Sequence, residues 1–385
     1  MKAIQLITLV CFLWAPLASG QAGGGSLPLI NPKGELPKAL TQTEFTQMVQ
    51  AVDKGLRALS QMQNEDGSFG EVAYAKPAVT SFSVMAFLSR GHKPGEGPYG
   101  KAIEKAVKYV LASQKKSGIF ADQEVEFANI NLTMPNEKPL LWTYTSKSYC
   151  HGICLLMLGE VYGLRASEDN FAVKNGIEKG LKFTLRLWDI RKSPSSYDDG
   201  GFRYVRPHSD RVEADLSVTA WHLTSLRSLQ NAGFEIPREL INRIIDYVKR
   251  CHREGGGFGY SPTRSATCTM SAAGSLCMAL SGQHEDLRLK NSADFLIRNS
   301  TLGVLYGEKY PYYCCYYMTQ NAIQMGGRLW LNQMKLCYRF LMEQQTPSGS
   351  FKRIQRGLYY SEAYSTSLAL IAIMPTLKML PIYQR

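Results

Sequence analysis

Five short turns constrain this chain most. Residues 63–70 read QNEDGSFG, and variants follow at 114–121 (QKKSGIFA), 198–205 (DDGGFRYV), 253–260 (REGGGFGY) and 346–353 (TPSGSFKR). Each places an aromatic residue one or two positions after a glycine. Aligned on Gly67, Gly118, Gly201, Gly257 and Gly349, they recur at roughly 50-residue intervals or nearly double that, the mark of a repeat architecture. The long interval before Gly349 implies a further unit with a degenerate turn at 299–310. The long interval before Gly201 implies an insertion at 122–144.

The residues around the turns define the unit. Met48, Val52, Leu56 and Leu59 precede the first turn, and Ile241, Ile244, Ile245 and Val248 precede the fourth. Spacings of three and four lay one apolar stripe along a helix. After each turn comes a segment that is apolar or small nearly all round, starting near Ala78, Ser148, Asp215, Ala266, Tyr312 and Ala363. Helices of that composition are buried on most faces. The unit is therefore an outer amphipathic helix, a glycine turn and an inner buried helix. Six units close into a ring that hides the inner set behind the outer set. The expected fold is all-α, an α/α toroid (α6/α6 barrel) over residues 43–375.

The ends and the composition narrow the setting. Lys2, the run IQLITLVCFLWAPLA and the small residues ASG at 18–20 read as a secretory signal over residues 1–20. Residues 21–42 read as a flexible linker and 376–385 as a C-terminal tail. An exported chain, periplasmic or secreted, is expected. The net charge of +12 is dispersed, as on a solvated surface, so no nucleic-acid partner is expected, and no transmembrane segment. Of nine cysteines, Cys150, Cys154, Cys268 and Cys277 lie in apolar helical patterns and read as buried thiols. Cys150, His151 and Cys154, with the vicinal pair Cys314 and Cys315, have soft-ligand character but no evident completing ligands, so neither metal nor cofactor is expected.

The stretch ALSQMQNEDGSFG at 58–70 resembles the glutamine–aromatic repeat of squalene and hopene cyclases and of protein prenyltransferase β subunits. SYCHGICLLMLGEVYGL, DLSVTAWHLTSLRSL and YYCCYYMTQNAIQMGG are similar to exported bacterial proteins known by their prenyltransferase/squalene-oxidase repeats. The resemblance implies a toroid and leaves the activity open. In the cyclases an Asp-x-Asp-Asp-Thr-Ala motif protonates an alkene. Matching its end to Thr219 and Ala220 leaves Asp215 as the first acid and puts Ser217 at the proton donor, where a hydroxyl is too weak an acid. In the prenyltransferases zinc is held by an Asp-x-Cys pair and a later histidine. Those positions fall on Tyr313, Cys315 and the vicinity of Tyr364, so one ligand of three remains. The Gly-Cys-Gly-Glu-Gln run of thioester domains is absent.

In a toroid the first turns of the inner helices converge on one mouth, with free N–H groups and positive dipole ends. Asp215, His151 and Tyr313 are the candidate catalytic groups there. Tyr149, Ser217, Trp221, Tyr316, Tyr317, Tyr364, Arg203 and Tyr204 are the candidate ligand contacts. Polar groups over apolar walls suit a hydrophobic or extended small-molecule ligand, or a glycan. The favoured expectation is a ligand-binding pocket. The second is an enzyme, either a divergent terpenoid cyclase or one acting on an acidic polysaccharide through Arg203, Tyr204, Arg206 and His208. An enzyme predicts a perturbed acid facing an enclosed cavity. A binding module predicts an open groove lined by Tyr316, Tyr317 and Trp221, and a plain scaffold predicts a filled centre.

Overall fold

A computed structural model describes residues 27–124, 138–164, 167–189, 196–204, 214–354, 361–374, 380 and 382. The signal over 1–20 and residues Arg206 and His208 lie outside the described residues. The helices alternate as the repeat implies. They run α1 (Gln42–Gln61), α2 (Lys76–Ser89), α3 (Gly100–Ala112), α4 (Lys138–Val161), α5 (Ser167–Asp189), α6 (Leu216–Asn231), α7 (Arg238–Arg250) and α8 (Cys268–Leu280). Then come α9 (Leu287–Asn299), the short α10 (Leu302–Gly307), α11 (Pro311–Met325), α12 (Gly327–Gln344) and α13 (Glu362–Ile373). The inner helices contact one another in the cyclic order α2, α4, α6, α8, α11, α13 and back to α2. This is a closed ring of six, with α1, α3, α5, α7, α9 and α12 outside it.

Burial follows the sequence pattern. Every residue of α2 from Pro77 to Ser89 is buried. Outer helix α1 buries only a stripe that includes Met48, Val52, Leu56 and Leu59. Each such aliphatic side chain contributes about 1.5–3 kcal/mol, which holds an outer helix to the ring while its other face stays in water. The fifth unit has α10 in place of a glycine turn, capped by Thr301 on Val304. Helix α4 begins at Lys138, earlier than the segment starting at Ser148 indicated.

The turns bind each unit to the next. Gln63 Nε2 donates to Gly67 O in its own turn and to Ala102 O in α3. Gln114 does the same to Gly118 O and Gly176 O of α5. Gln345 donates to Gly349 O and to Ala51 O of α1, so the last turn closes the ring on the first helix. In each turn the glycine two positions before the aromatic residue has positive φ: Gly67, Gly118, Gly200, Gly256 and Gly349. The alignment on Gly201 and Gly257 is thus one residue out of register in the third and fourth turns. In the corrected register every aromatic residue (Phe69, Phe120, Phe202, Phe258 and Phe351) stands two positions after the glycine.

A second contact repeats around the ring. The backbone N–H of each aromatic residue donates to a side chain of the inner helix that follows it. The acceptors are Thr80 Oγ1, His151 Nδ1, Thr219 Oγ1, Ser271 Oγ and Thr366 Oγ1. Buried N–H groups need such partners.

Residues 27–40, expected within a flexible linker, lie against the junction of α11 and α12. Arg328 N donates to Pro28 O, Leu329 N to Leu29 O, and Asn31 N to Met325 O. Two open N–H groups of α12 are satisfied in this way. At the opposite end of the ring from the turns, Ser228 Oγ donates to Glu160 Oε1 at 2.5 Å and Ile382 N to Glu160 Oε2 at 3.2 Å. No helix among the described residues is long and apolar enough to cross a membrane.

Candidate functional site at the mouth of the ring

The inner helices start beside the turns, so their first residues meet at one mouth. Asp215 caps α6 there, accepting from Val218 N at 2.9 Å. Its carboxylate also takes the Ser217 hydroxyl at 2.5 Å and Arg203 Nη1 at 3.0 Å. The Ser217 proton is committed to Asp215, so the Tyr149 phenol is the donor in its bond to Ser217. Arg203 lies over the Tyr204 ring at 4.7 Å, and the Tyr204 and Tyr260 hydroxyls bond at 2.8 Å. One connected network thus joins Tyr149, Ser217, Asp215, Arg203, Tyr204 and Tyr260 from α4, α6 and the third and fourth turns.

Burial and its partners act on Asp215 in opposite senses, and burial is the larger, so its pKa is raised. Arg203, Ser217 and the Val218 N–H pull it down. Each of those partners favours the carboxylate. So paired, Asp215 holds Arg203 and the start of α6 in place. The Tyr149 phenol is raised well above its ordinary value, first by burial and then by Asp215. It acts as a neutral hydrogen-bonding group.

Behind this network lies an aromatic cluster. Trp221 of α6 stacks on Tyr316 of α11, with centroids 5.2 Å apart and planes at 20°. It also meets Tyr317 at 5.5 Å, Tyr313 at 6.1 Å and Phe82 of α2 at 5.4 Å. Phe82 in turn meets Tyr364 of α13 at 6.2 Å. Trp221, Tyr316 and Tyr317 are each no more than 1 % exposed. The open groove lined by these three residues is therefore not present. Their rings pack on one another as a floor beneath the mouth, and aromatic pairs of this kind contribute about 0.5–1.5 kcal/mol each beyond their burial. Tyr149, Tyr204, Tyr260, Tyr313 and Tyr364 remain half-buried around it.

His151 belongs to a different part of the molecule. Its Nδ1 accepts from Phe120 N, so Nε2 carries the proton and donates toward Gly180 O at 3.2 Å and Thr184 Oγ1 at 2.9 Å. Burial lowers its pKa to about 3. It occupies the scaffold position held by Thr80, Thr219, Ser271 and Thr366 in the other units. The expected proximity to Asp215 at the mouth is replaced by contact with α5.

The eight described cysteines are free and buried. Cys150 Sγ donates to Tyr74 O at 3.0 Å, and Cys154 Sγ lies 3.4 Å from Ser81 Oγ. Among the described residues, no group of three or more His, Cys, Asp or Glu side chains is arranged to hold a metal ion. Sequence reasoning does not single out Tyr260 or Phe82. Tyr260 carries a signal, because it follows Phe258 by two residues just as Tyr204 follows Phe202.

Comparison with known proteins agrees with this architecture. The family model of the prenyltransferase alpha-alpha toroid domain matches residues 39–131 and 204–377. No curated protein sequence matches the chain. Among solved structures, a variant of the type II terpene cyclase MstE from Scytonema, in complex with its substrate geranylgeranyl dihydroxybenzoate, is similar in fold. Its TM-score is 0.54 at 12% identity, covering 89% of this chain and 100% of that one. A protein from Actinoplanes gives a TM-score of 0.54 at 14% identity, covering 86% and 99%. The GH76 α-mannanase of Bacteroides thetaiotaomicron gives 0.54 at 10% identity, covering 87% and 98%. Identities this low speak to fold alone.

Proposed function

The chain belongs to the prenyltransferase α/α-toroid family, and from that premise we propose that it is an exported protein binding a hydrophobic, extended ligand at the mouth of the ring. Residues 43–375 form the binding toroid, and residues 1–20 direct export to a periplasmic or secreted location. The observation that carries this reading is the ring of half-buried phenols around the Trp221 floor. Tyr149, Tyr204, Tyr260, Tyr313 and Tyr364 each bring an aromatic ring to it, with the Tyr149, Tyr204 and Tyr260 hydroxyls held in the network with Ser217 and Asp215. That combination suits a ligand with apolar length and few polar groups.

Binding is better supported than catalysis. Alkene protonation needs a neutral, aimed acid, whereas Asp215 is ion-paired with Arg203 at 3.0 Å. Action on an acidic glycan needs a free cation, and the charge of Arg203 is already matched by Asp215. The glycan reading also rests on Arg206 and His208, which lie outside the described residues.

The test is mass spectrometry of organic and aqueous extracts of natively expressed residues 21–385, run beside a Trp221→Ala variant. A stoichiometric apolar or amphipathic molecule that is lost from the variant is the expected outcome. An acidic oligosaccharide refutes the proposal. So does an empty extract from a protein that shows no thermal shift with dodecane or 1-dodecanol.

A further inference from the structure

Helix α11 buries hydrogen-bonding atoms that the ring leaves unused. Both amide atoms of Asn321 and the Oε1 of Gln320 are buried with no hydrogen-bond partner among the described residues. Asn321 is 0 % exposed and Gln320 2 %. The Gln320 side chain is held by its other end, since Nε2 donates to Ile371 O of α13 at 3.3 Å. A buried, unpaired polar atom is unfavourable, and such atoms in folded proteins usually answer to a ligand, water or ion.

Their position indicates which. Residues four apart share a helix face, so Tyr313, Tyr317 and Asn321 form one row on α11. Tyr313 and Tyr317 both touch Trp221, whose side chain reaches in from α6. The row therefore faces the ring axis. It starts at the mouth, where α11 begins, and reaches Asn321 about 12 Å further in at about 1.5 Å per residue. Asn321 is thus one helical turn beneath the Trp221 floor. A hydrocarbon-only ligand has nothing to offer an amide at that depth, whereas an amide supplies both a donor and an acceptor.

We propose that the ring axis beneath Trp221 is a binding site for a hydroxyl- or amide-bearing end of the ligand, recognised by Asn321 and the Oε1 of Gln320. The proposal rests on the mouth-binding reading, which supplies the way in. Entry of the chain requires Trp221 to leave its stack on Tyr316, and the polar end then pairs with the Asn321 amide. The ligand class is then an amphipathic chain that enters polar end first, with its apolar body against the phenols at the mouth.

The experiment compares 1-dodecanol with dodecane on the wild-type chain and on Asn321→Leu, by thermal shift and by competition against a bound fluorescent fatty-chain probe. The expected result is about tenfold tighter binding of the alcohol by the wild type, the scale of one buried hydrogen-bonding pair. Asn321→Leu should remove that preference and keep the dodecane affinity. Gln320→Met provides the same contrast if Asn321→Leu does not fold. Equal binding of the two probes by the wild type overturns this inference and leaves mouth binding standing. So does an alcohol preference that survives both substitutions. If neither probe binds, the mouth-binding reading itself fails, and this inference fails with it.

Discussion

Gly349→Ala tests whether the turns lock neighbouring units together. Gly349 has φ of +100°, and a Cβ there would lie 2.7 Å from Lys54 O and 3.0 Å from Lys54 C in α1. That is the seam where the last unit meets the first. Gly282 is the control, with φ of +76° and nothing within 4 Å of the added carbon. A positive φ alone costs a non-glycine residue about 1–2 kcal/mol. Pressing a methyl group onto fixed backbone adds about 1–3 kcal/mol. Gly282→Ala should therefore cost about 1 kcal/mol and Gly349→Ala about 3 kcal/mol. With unfolding entropy of about 2.1 cal/mol/K per residue over a chain of this size, 1 kcal/mol corresponds to roughly 1.5 °C. Calorimetry should find Tm lowered by about 1–2 °C for the control and about 4–5 °C for Gly349→Ala. Equal shifts would show that the turn acts through its own backbone alone and that the contact with α1 does not hold the ring closed.

Three further outcomes follow from buried polar groups. His151→Thr should be mild, because threonine fills the same position in three other units, whereas His151→Leu strands the Phe120 N–H and should cost about 1–3 kcal/mol by thermal melt; extraction should show that neither loses the bound ligand. Glu160 is raised from 4.5 to about 7, chiefly by burial, so the folded state holds its proton more tightly than the unfolded chain. Its contribution to stability is full below pH 4.5 and falls by about 3 kcal/mol as pH rises to 7 and beyond. His151, lowered from 6.5 to about 3, acts in the opposite sense, with stability lost as pH falls below 6.5. The quantity to read is therefore the Tm difference between wild type and Glu160→Gln, which should grow in favour of the variant from pH 5 to pH 8. A flat difference contradicts the burial of Glu160. The thiols of Cys150 and Cys251 are raised to about 12 by burial, so the folded chain should resist alkylation at pH 8 until it is unfolded; rapid labelling by mass spectrometry would contradict that packing.

What could be read in the sequence was what the backbone decides locally. The glycine, the aromatic residue two places on and the apolar stripes are set by turn geometry and helix period, and they specified the ring. In the runs Gly200-Gly201 and Gly255-Gly256-Gly257 the sequence does not tell which glycine adopts positive φ. The choice falls to the residue whose Cα faces a carbonyl of the next outer helix, Arg243 O for Gly200 and Asn291 O for Gly256. His151 looked like a catalytic group because loops of different length separate each aromatic residue from its acceptor. Those lengths hide that His151 matches Thr80, Thr219, Ser271 and Thr366.

The same distinction explains the site. That Asp215 caps a helix follows from its place before an apolar run, and α6 does start after it. Its pairing with Arg203 depends on where the third turn folds back, which no local pattern encodes. Trp221 sits on a helix with little amphipathic character, so its neighbours in sequence do not mark it as the residue that spans the ring. Its contacts on α2 and α11 come from units far apart in the chain. A closed ring makes such meetings possible by bringing alternate inner helices within side-chain reach across the axis. The chemistry of a toroid therefore depends on combinations of residues one or two units apart. The repeat motif fixes the frame, and it leaves those inward positions free to vary from one toroid to another.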